Sequence, residues 1–305
     1  MASLVKDLVE AGIHFGHRST HWNPKMAPYI YGKRNKIHII DVKETIKGLL
    51  LARKFLTQTV AGGKDVLVVG TNRQARGIVE KHVGDVGMHY VTERWLGGTL
   101  TNFRTIRERL KRLDELDRIE DSGEINNYSK KMESQLRREQ TKISRNLGGI
   151  RHMTKLPGAM VVIDVNHESN AVKEARKLGI PTVCLIDTDS DPDFADIPIP
   201  GNDDAMRAIE VIVSSLCAAM AEGKTARAQQ QQVEAKDEGG EQSPRRRSRR
   251  AQFRAESDPA AAAEADHQAG SPAEAGSSND TAGGDASGGE AVAAGQPEPA
   301  REAAG

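Results

Sequence analysis

Three groups of residues in this chain have the types and spacing to do chemistry. The first is the run Trp95-Leu96-Gly97-Gly98-Thr99-Leu100-Thr101-Asn102. Its two glycines let the backbone approach another surface closely. Thr99, Thr101 and Asn102 are side chains that can cap a following helix, and enzymes use turns of this kind to hold phosphate groups at a helix N-terminus, although the rest of the chain has the character of an RNA-binding protein. The second group, Asn23 to Lys36, interleaves Tyr29 and Tyr31 with Lys25, Lys33, Arg34, Asn35 and Lys36 in what reads as an extended, proline-containing loop. Cations of that kind bind phosphates, and tyrosines stack on bases or pack on ribose. The third group is His14, His17 and His21 together with Asp187, Asp189, Asp191, Asp193, Asp203 and Asp204. A fold that brought His17 to Asp187 or Asp204 would create a nitrogen and oxygen site for a divalent ion. The simpler expectation, preferred here, is a backbone-bonded histidine and a set of turn and cap aspartates, with no metal.

Enzyme signatures are missing from the motif-bearing turns. Gly70-Thr71-Asn72-Arg73-Gln74-Ala75-Arg76-Gly77 is no GxGxxG, and none of Gly32-Lys33, Gly63-Lys64 and Gly223-Lys224 has the glycine that a P-loop requires. Ser214 and Ser215 lie on an apolar helical run without a glycine elbow. The two cysteines, Cys184 and Cys217, sit in apolar runs with no CxxC partner and read as buried thiols in a reducing compartment. The expectation is a protein with no catalysis, no cofactor and no small-molecule substrate. A nucleotide-dependent enzyme and a free RNA-binding regulator are the rival classes.

The elements that must position these groups are legible from periodicity. Ile37–Ile40, Val66–Val69, Met88–Val91, Met160–Ile163 and Val183–Ile186 read as strands, several of them the continuous Val and Ile runs of a parallel sheet buried on both faces. Helical patterns at Val42–Val60, Arg73–Val86, Ala171–Leu178 and Ala205–Met220 alternate with them, which predicts a three-layer α/β domain with a mostly parallel five-stranded sheet. Ile197-Pro198-Ile199-Pro200 fits only an edge strand. Between the third and fourth strands, Ile106, Leu110, Leu113, Leu116 and Ile119, and on the return Met132, Leu136, Ile143 and Leu147, form two narrow apolar stripes of coiled-coil type. They predict a helical hairpin projecting from the body, with Leu110, Leu113, Met132, Leu136 and Ile143 packing mainly on each other. The domain reading is therefore 1–102 with 148–223 for the α/β body, 103–147 for the hairpin and 224–305 for a disordered low-complexity tail. In that tail, Arg245, Arg246, Arg247, Arg249 and Arg250 form a basic block.

Charge divides the same way. The 43 Lys and Arg balance 43 Asp and Glu overall, but residues 1–155 hold 29 basic against 17 acidic side chains and residues 156–223 hold 4 against 12. A polyanion face and a separate second face follow from that asymmetry. Met1 to Glu10 alternates charge with apolar residues, unlike a secretory signal, and no run of 18 or more apolar residues occurs. A cytoplasmic location is expected.

Several segments carry a resemblance in order and spacing: Gly12-Ile13-His14-Phe15-Gly16-His17, Asn23-Pro24-Lys25-Met26, Tyr29-Ile30-Tyr31-Gly32, Ile37-His38-Ile39-Ile40-Asp41, Gly70-Thr71-Asn72-Arg73 and the Trp95–Asn102 run. Over about residues 3–222 the chain resembles the S-two family of bacterial small-subunit ribosomal proteins. The resemblance implies a flavodoxin-like sheet with a coiled-coil hairpin and a place at the head–body junction of the small subunit. It also implies contacts to 16S rRNA and a docking surface for neighbouring proteins, including the large mRNA-binding protein S-one. The residues expected to touch RNA are Lys25, Tyr31, Lys33, Arg34, Asn35, Lys36, Arg73, Arg76, Arg94, Trp95, Gly97, Gly98, Thr99, Asn102, Arg104 and Arg107. No membrane partner is expected.

Overall fold

The structure is a computed structural model and describes residues 2–240. Its elements run α1 (Ala2–Glu10), β1 (Phe15–Arg18), a 3-10 turn (Pro24–Tyr29), β2 (Ile30–Arg34), β3 (Ile37–Ile40), α2 (Val42–Ala61), β4 (Val66–Val69), α3 (Arg76–Val86), β5 (His89–Val91), α4 (Phe103–Asp121), α5 (Lys130–Leu147), β6 (Ala159–Ile163), α6 (Ser169–Leu178), β7 (Thr182–Ile186), β8 (Ile197–Pro200) and α7 (Met206–Gly240).

Strands β4, β6 and β7 are buried along their whole length, as their unbroken apolar composition requires. They form the centre of an all-parallel five-stranded sheet in the order β5-β4-β6-β7-β8. Alternate side chains face opposite layers. Val66, Val68, Val161, Ile163, Val183 and Leu185 pack with Leu49 and Leu56 of α2, Val79 and Val83 of α3, and Ile209 to Met220 of α7. On the other face, Leu67, Val69, Met160, Val162, Cys184 and Ile186 pack with Ala171, Val172 and Ala175 of α6 and with the base of the α4–α5 hairpin. The result is the three-layer α/β arrangement expected from the alternation. The proline-bearing β8 lies at the sheet edge, where a missing N–H is tolerated. Both cysteines are buried, free thiols, and burial pushes each up to about 12, so neither is a ready nucleophile.

Four expectations change. Ile37–Ile40 does not join the parallel sheet; β3 is the middle of a separate antiparallel sheet in the order β1-β3-β2, and β8 is the fifth parallel strand. β1 and β2, with sequences FGHR and IYGKR, alternate too weakly to announce themselves. The segment 23–36 is accordingly not an extended loop. Asn23 accepts from the Lys25 N–H at 3.0 Å and caps the 3-10 turn, and β2 and β3 close a hairpin across Asn35 and Lys36. Those two residues have φ of 52° and 64°, the left-handed pair of a tight two-residue hairpin turn.

The third change concerns the helical hairpin. α4 and α5 form it, with Leu110, Leu113 and Leu116 buried. However, Ile106, Leu110 and Leu147 belong to the core of the body together with Trp95 and Leu100, so the base is continuous with the α/β unit. Met132, expected in the seam, is 45% exposed. The gap between Leu136 and Ile143 is filled by Gln140, whose amide donates to Asp117 and Glu120 of α4 at 2.9 and 2.7 Å.

The fourth change is the tail boundary. α7 does not stop near Gly223 but continues to Gly240. Lys224, counted with the tail, donates to the carbonyls of Val86 and Gly87 at 2.6 and 3.0 Å, where cations suit the C-terminus of α3. Composition argued against a core in this stretch, but Ala, Gln, Glu and Lys are good helix formers and extend a helix already nucleated by packing. Residues 241–305, including the Arg245–Arg250 block, lie outside the described residues.

Candidate nucleic-acid interface

The Trp95–Asn102 turn leaves β5 and enters α4, and its donors converge on one point. Glu174 of α6 inserts its carboxylate there. Oε1 accepts from the Trp95 indole N–H at 3.0 Å and from the Gly98 N–H at 2.8 Å. Oε2 accepts from the N–H groups of Leu100 and Thr101 at 3.0 and 3.1 Å and from the Thr101 hydroxyl at 3.1 Å. Gly98 stands at φ 89°, which an L side chain rarely adopts, and this turns its N–H inward. Burial alone would raise the Glu174 carboxyl, but the hydrogen bonds from Thr101, Gly98, Trp95 and Leu100 outweigh it and hold the group below the usual range. The turn is thus an anion site, and its anion is a side chain of the same protein.

This occupancy changes the roles of four expected RNA contacts. The Trp95 ring lies in the core and Thr99 is buried, its hydroxyl donating to the Leu96 carbonyl at 2.6 Å. Gly98 spends its N–H on Glu174. Asn102 occupies the N-cap position of α4 but makes no side-chain cap; its Oδ1 instead accepts the Thr105 hydroxyl at 3.0 Å. Of the turn residues expected to touch RNA, Gly97 and Asn102 are the exposed ones.

Two expected cations are also committed internally. Lys25 donates to Asp191 and Asp193 at 2.8 and 2.5 Å, and these carboxylates raise its ammonium. Arg76 donates to the Thr71 carbonyl at 2.9 Å and pairs with Glu93 at 3.1 Å. Arg104 faces Glu108 at 3.5 Å and Arg107 reaches the Thr154 carbonyl at 3.4 Å, yet both remain exposed on α4.

The remaining cations are free. At the β2–β3 tip, Lys33, Arg34, Asn35 and Lys36 are exposed, and the Tyr31 ring is 80% exposed beside them. None of Lys33, Arg34, Lys36, Arg73 and Arg94 enters an ion pair among the described residues. A second basic surface is one that the sequence patterns did not bring forward. A cleft of about 940 Å³ opens between the body at Arg76, Glu93 and Arg94 and the α5 face bearing Lys130, Arg137, Arg138, Lys142 and Arg145. Arg145 bridges it to Glu93 at 2.5 Å; its hydrogen bond, aided by Arg76, holds the Glu93 carboxyl low. A signal for it exists, since positions 130, 134, 137, 138, 141, 142 and 145 share one helical face, but the apolar stripe on the same helix dominates the pattern.

His17 does meet the aspartates. Its Nδ1 lies 3.0 Å from Asp187 Oδ2, and its Nε2 lies 3.7 Å from Asp204 Oδ2. The preferred backbone-bonded histidine is therefore not what forms, although Asp191 does cap the Asp193 N–H as expected of a turn aspartate.

A doubly wound α/β scaffold with a basic hairpin tip and a basic cleft, and with its Trp95–Asn102 anion site filled from within, has the character of a structural protein that presents exposed positive charge. Comparison with known sequences specifies the family. The profile of Ribosomal protein S2 matches residues 8–223. The chain is 58% identical over 221 residues to the small ribosomal subunit protein uS2 of Rhodopirellula baltica, covering 72% of this chain and 85% of that one. It is 51% identical over 220 residues to the protein of the same name from Syntrophobacter fumaroxidans, covering 72% and 80%. The chain belongs to the ribosomal protein S2 family, a family of structural, non-enzymatic components of the small ribosomal subunit.

Proposed function

We propose that this protein binds 16S rRNA at the head–body junction of the small subunit in the cytoplasm and scaffolds neighbouring ribosomal proteins there, including the large mRNA-binding protein S-one. The observation that carries the rRNA reading is the set of exposed cations without internal partners: Lys33, Arg34 and Lys36 beside the Tyr31 ring, and Arg94, Lys130, Arg138 and Lys142 around the cleft. Each such cation releases a condensed counterion when it meets a phosphate, so affinity comes from charge. The exposed tyrosine and the Gly97 backbone add shape and stacking. Arg73, Arg104 and Arg107 extend the same surface. The scaffold reading rests on the acidic sequence from 156 to 223, which lies on the sheet's other connections and would repel rRNA.

The test is reassociation with protein-depleted small subunits across a range of salt. Replacing Lys33, Arg34 and Lys36 together by alanine should weaken binding and reduce the log–log salt slope by roughly 0.7–0.9 for each phosphate that is no longer neutralised. An unchanged slope removes the hairpin tip from the interface. Co-sedimentation of the native protein with small subunits separates a ribosomal component from a free regulator.

A further inference from the structure

In the cleft between the body and α5 a second acid meets a convergence of donors, and it is held far more loosely than Glu174. Glu93 spends a single oxygen. Its Oε2 accepts from Arg76 Nη1 at 3.1 Å and from Arg145 Nη2 at 2.5 Å, while Oε1 accepts no hydrogen bond among the described residues. The Glu93 side chain is 26% exposed and that of Arg145 is 64% exposed, so solutes reach the pair. Arg76 is steadied from behind, its Nε donating to the Thr71 carbonyl at 2.9 Å. The other acid lining the cleft, Glu133, is paired along its own helix with Arg137 at 3.0 Å. Glu93 is the one of the two that reaches across, from the body to α5.

We propose that the Glu93 carboxylate is an internal stand-in for a phosphate, and that a backbone phosphate of RNA entering the cleft displaces it from Arg145 and Arg76. The inference rests on the reading that this cleft faces RNA, and it adds an intramolecular competitor to that surface. A phosphodiester carries one negative charge, as a carboxylate does, and accepts guanidinium N–H groups in the same forked way. A lone anion therefore gains little by the exchange, since each guanidinium trades one partner for another.

A phosphate within a strand brings neighbours with it. Arg138 and Lys142 stand one turn apart on the cleft face of α5, about 6 Å along the helix axis, and Arg94 faces them from the body. None of the three enters an ion pair among the described residues. Cations of that kind neutralise the flanking phosphates and release their counterions, which offsets the loss of the Glu93 contacts. Glu93 thus sets a threshold that an extended polyphosphate passes.

The experiment follows association of the full chain with protein-depleted small subunits across a range of salt. Glu93→Gln keeps the shape and removes the competing charge, so affinity at fixed salt should rise by up to about fivefold, the scale of one exposed ion pair. Glu93→Ala repeats this arm if the Gln variant fails to fold. Arg145→Ala should reduce the log–log salt slope by roughly 0.7–0.9. In the double variant the gain from Glu93→Gln should shrink, because the cation that it frees is gone, whereas a mere change of net charge would add. Unchanged or weaker binding by Glu93→Gln, an unaltered slope in Arg145→Ala, or full additivity in the double variant would overturn the exchange. Replacing Arg94, Arg138 and Lys142 together by alanine tests the underlying reading separately. A lowered slope keeps the cleft in the RNA interface even where Glu93 proves inert, and an unchanged slope removes the cleft and the exchange with it.

Discussion

The Trp95–Asn102 turn and the β2–β3 tip look alike in sequence, since both are short polar segments rich in hydrogen-bond donors. Their fates differ. In the turn, five donors converge on Glu174, a carboxylate from α6, and the Trp95 ring is sealed into the core. At the tip, Lys33, Arg34 and Lys36 find no anion among the described residues and Tyr31 projects into solvent. The most distinctive motif in the chain is therefore an internal brace, while the less distinctive segment carries the free charge. Donors satisfied within the fold contribute stability; donors left over are what a polyanion can engage.

The largest effect on this contrast is expected from Trp95→Ala. The substitution empties a core position between α4, α6 and the sheet and releases a hydrogen bond, so unfolding stability measured by denaturant should fall by about 3–5 kcal/mol. A decrease under about 1 kcal/mol, well short of the core-truncation range, would mean that the ring is dispensable to the fold and free for another role. Leu113→Asp, at a buried seam position beyond the core of the body, should cost a comparable amount locally, of the order of several kcal/mol for an unpaired buried charge. Hydrogen exchange should accelerate in the outer hairpin. It should also spread to Ile106, Leu110 and Leu147, because the base shares the body's core. Exchange confined strictly to the outer turns would restore the picture of an independent insertion.

Glu174→Gln probes the same contrast by pH. The folded carboxyl is held below its unfolded value, so its contribution is present above the unfolded pKa of about 4.3 and is lost as pH falls through the folded one. At about pH 7 the variant should lose about 1–2 kcal/mol, a modest figure because solvent reaches part of the carboxylate. The gap between variant and parent should close in acid. A difference that stays constant from neutral pH into acid would show that shape rather than charge matters in the turn. The smallest effect is expected at the tip. Alanine at Lys33, Arg34 and Lys36 should leave the stability of the free protein within about 0.5 kcal/mol. A larger drop would reveal partners for these cations inside the fold.

Much of the fold was legible because its signals are local. Val66–Val69, Met160–Ile163 and Val183–Ile186 are unbroken apolar runs, and an unbroken run of that length has few places to go other than the centre of a parallel sheet. The Ile106, Leu110 and Leu113 stripe marked a helix whose partner follows a short turn later. Strands β1 and β2 were not legible, since Phe15–Arg18 and Ile30–Arg34 have no apolar alternation and acquire their identity only by pairing with β3. The α7 extension was misread for a related reason, because low apolar content excludes a core but not the continuation of a helix already docked.

The candidate interface divides along the same line. The amino-acid sequence by itself determined the fold class, the hairpin, the positions of the basic segments and the family. It also showed that Trp95–Asn102 is a glycine-containing turn dense in donors, because glycine placement and donor density are properties of consecutive residues. Only the tertiary structure decided that those donors meet a carboxylate of the same chain. Glu174 lies 76 residues from Gly98, Asp191 and Asp193 lie 166 and 168 residues from Lys25, and Asp203 joins His17 only when β1 is laid against the end of β7. A charge's partner is set by distance in space, and no local pattern encodes it. Whether a cation braces the fold or remains free for a partner is therefore settled only when the chain has closed on itself.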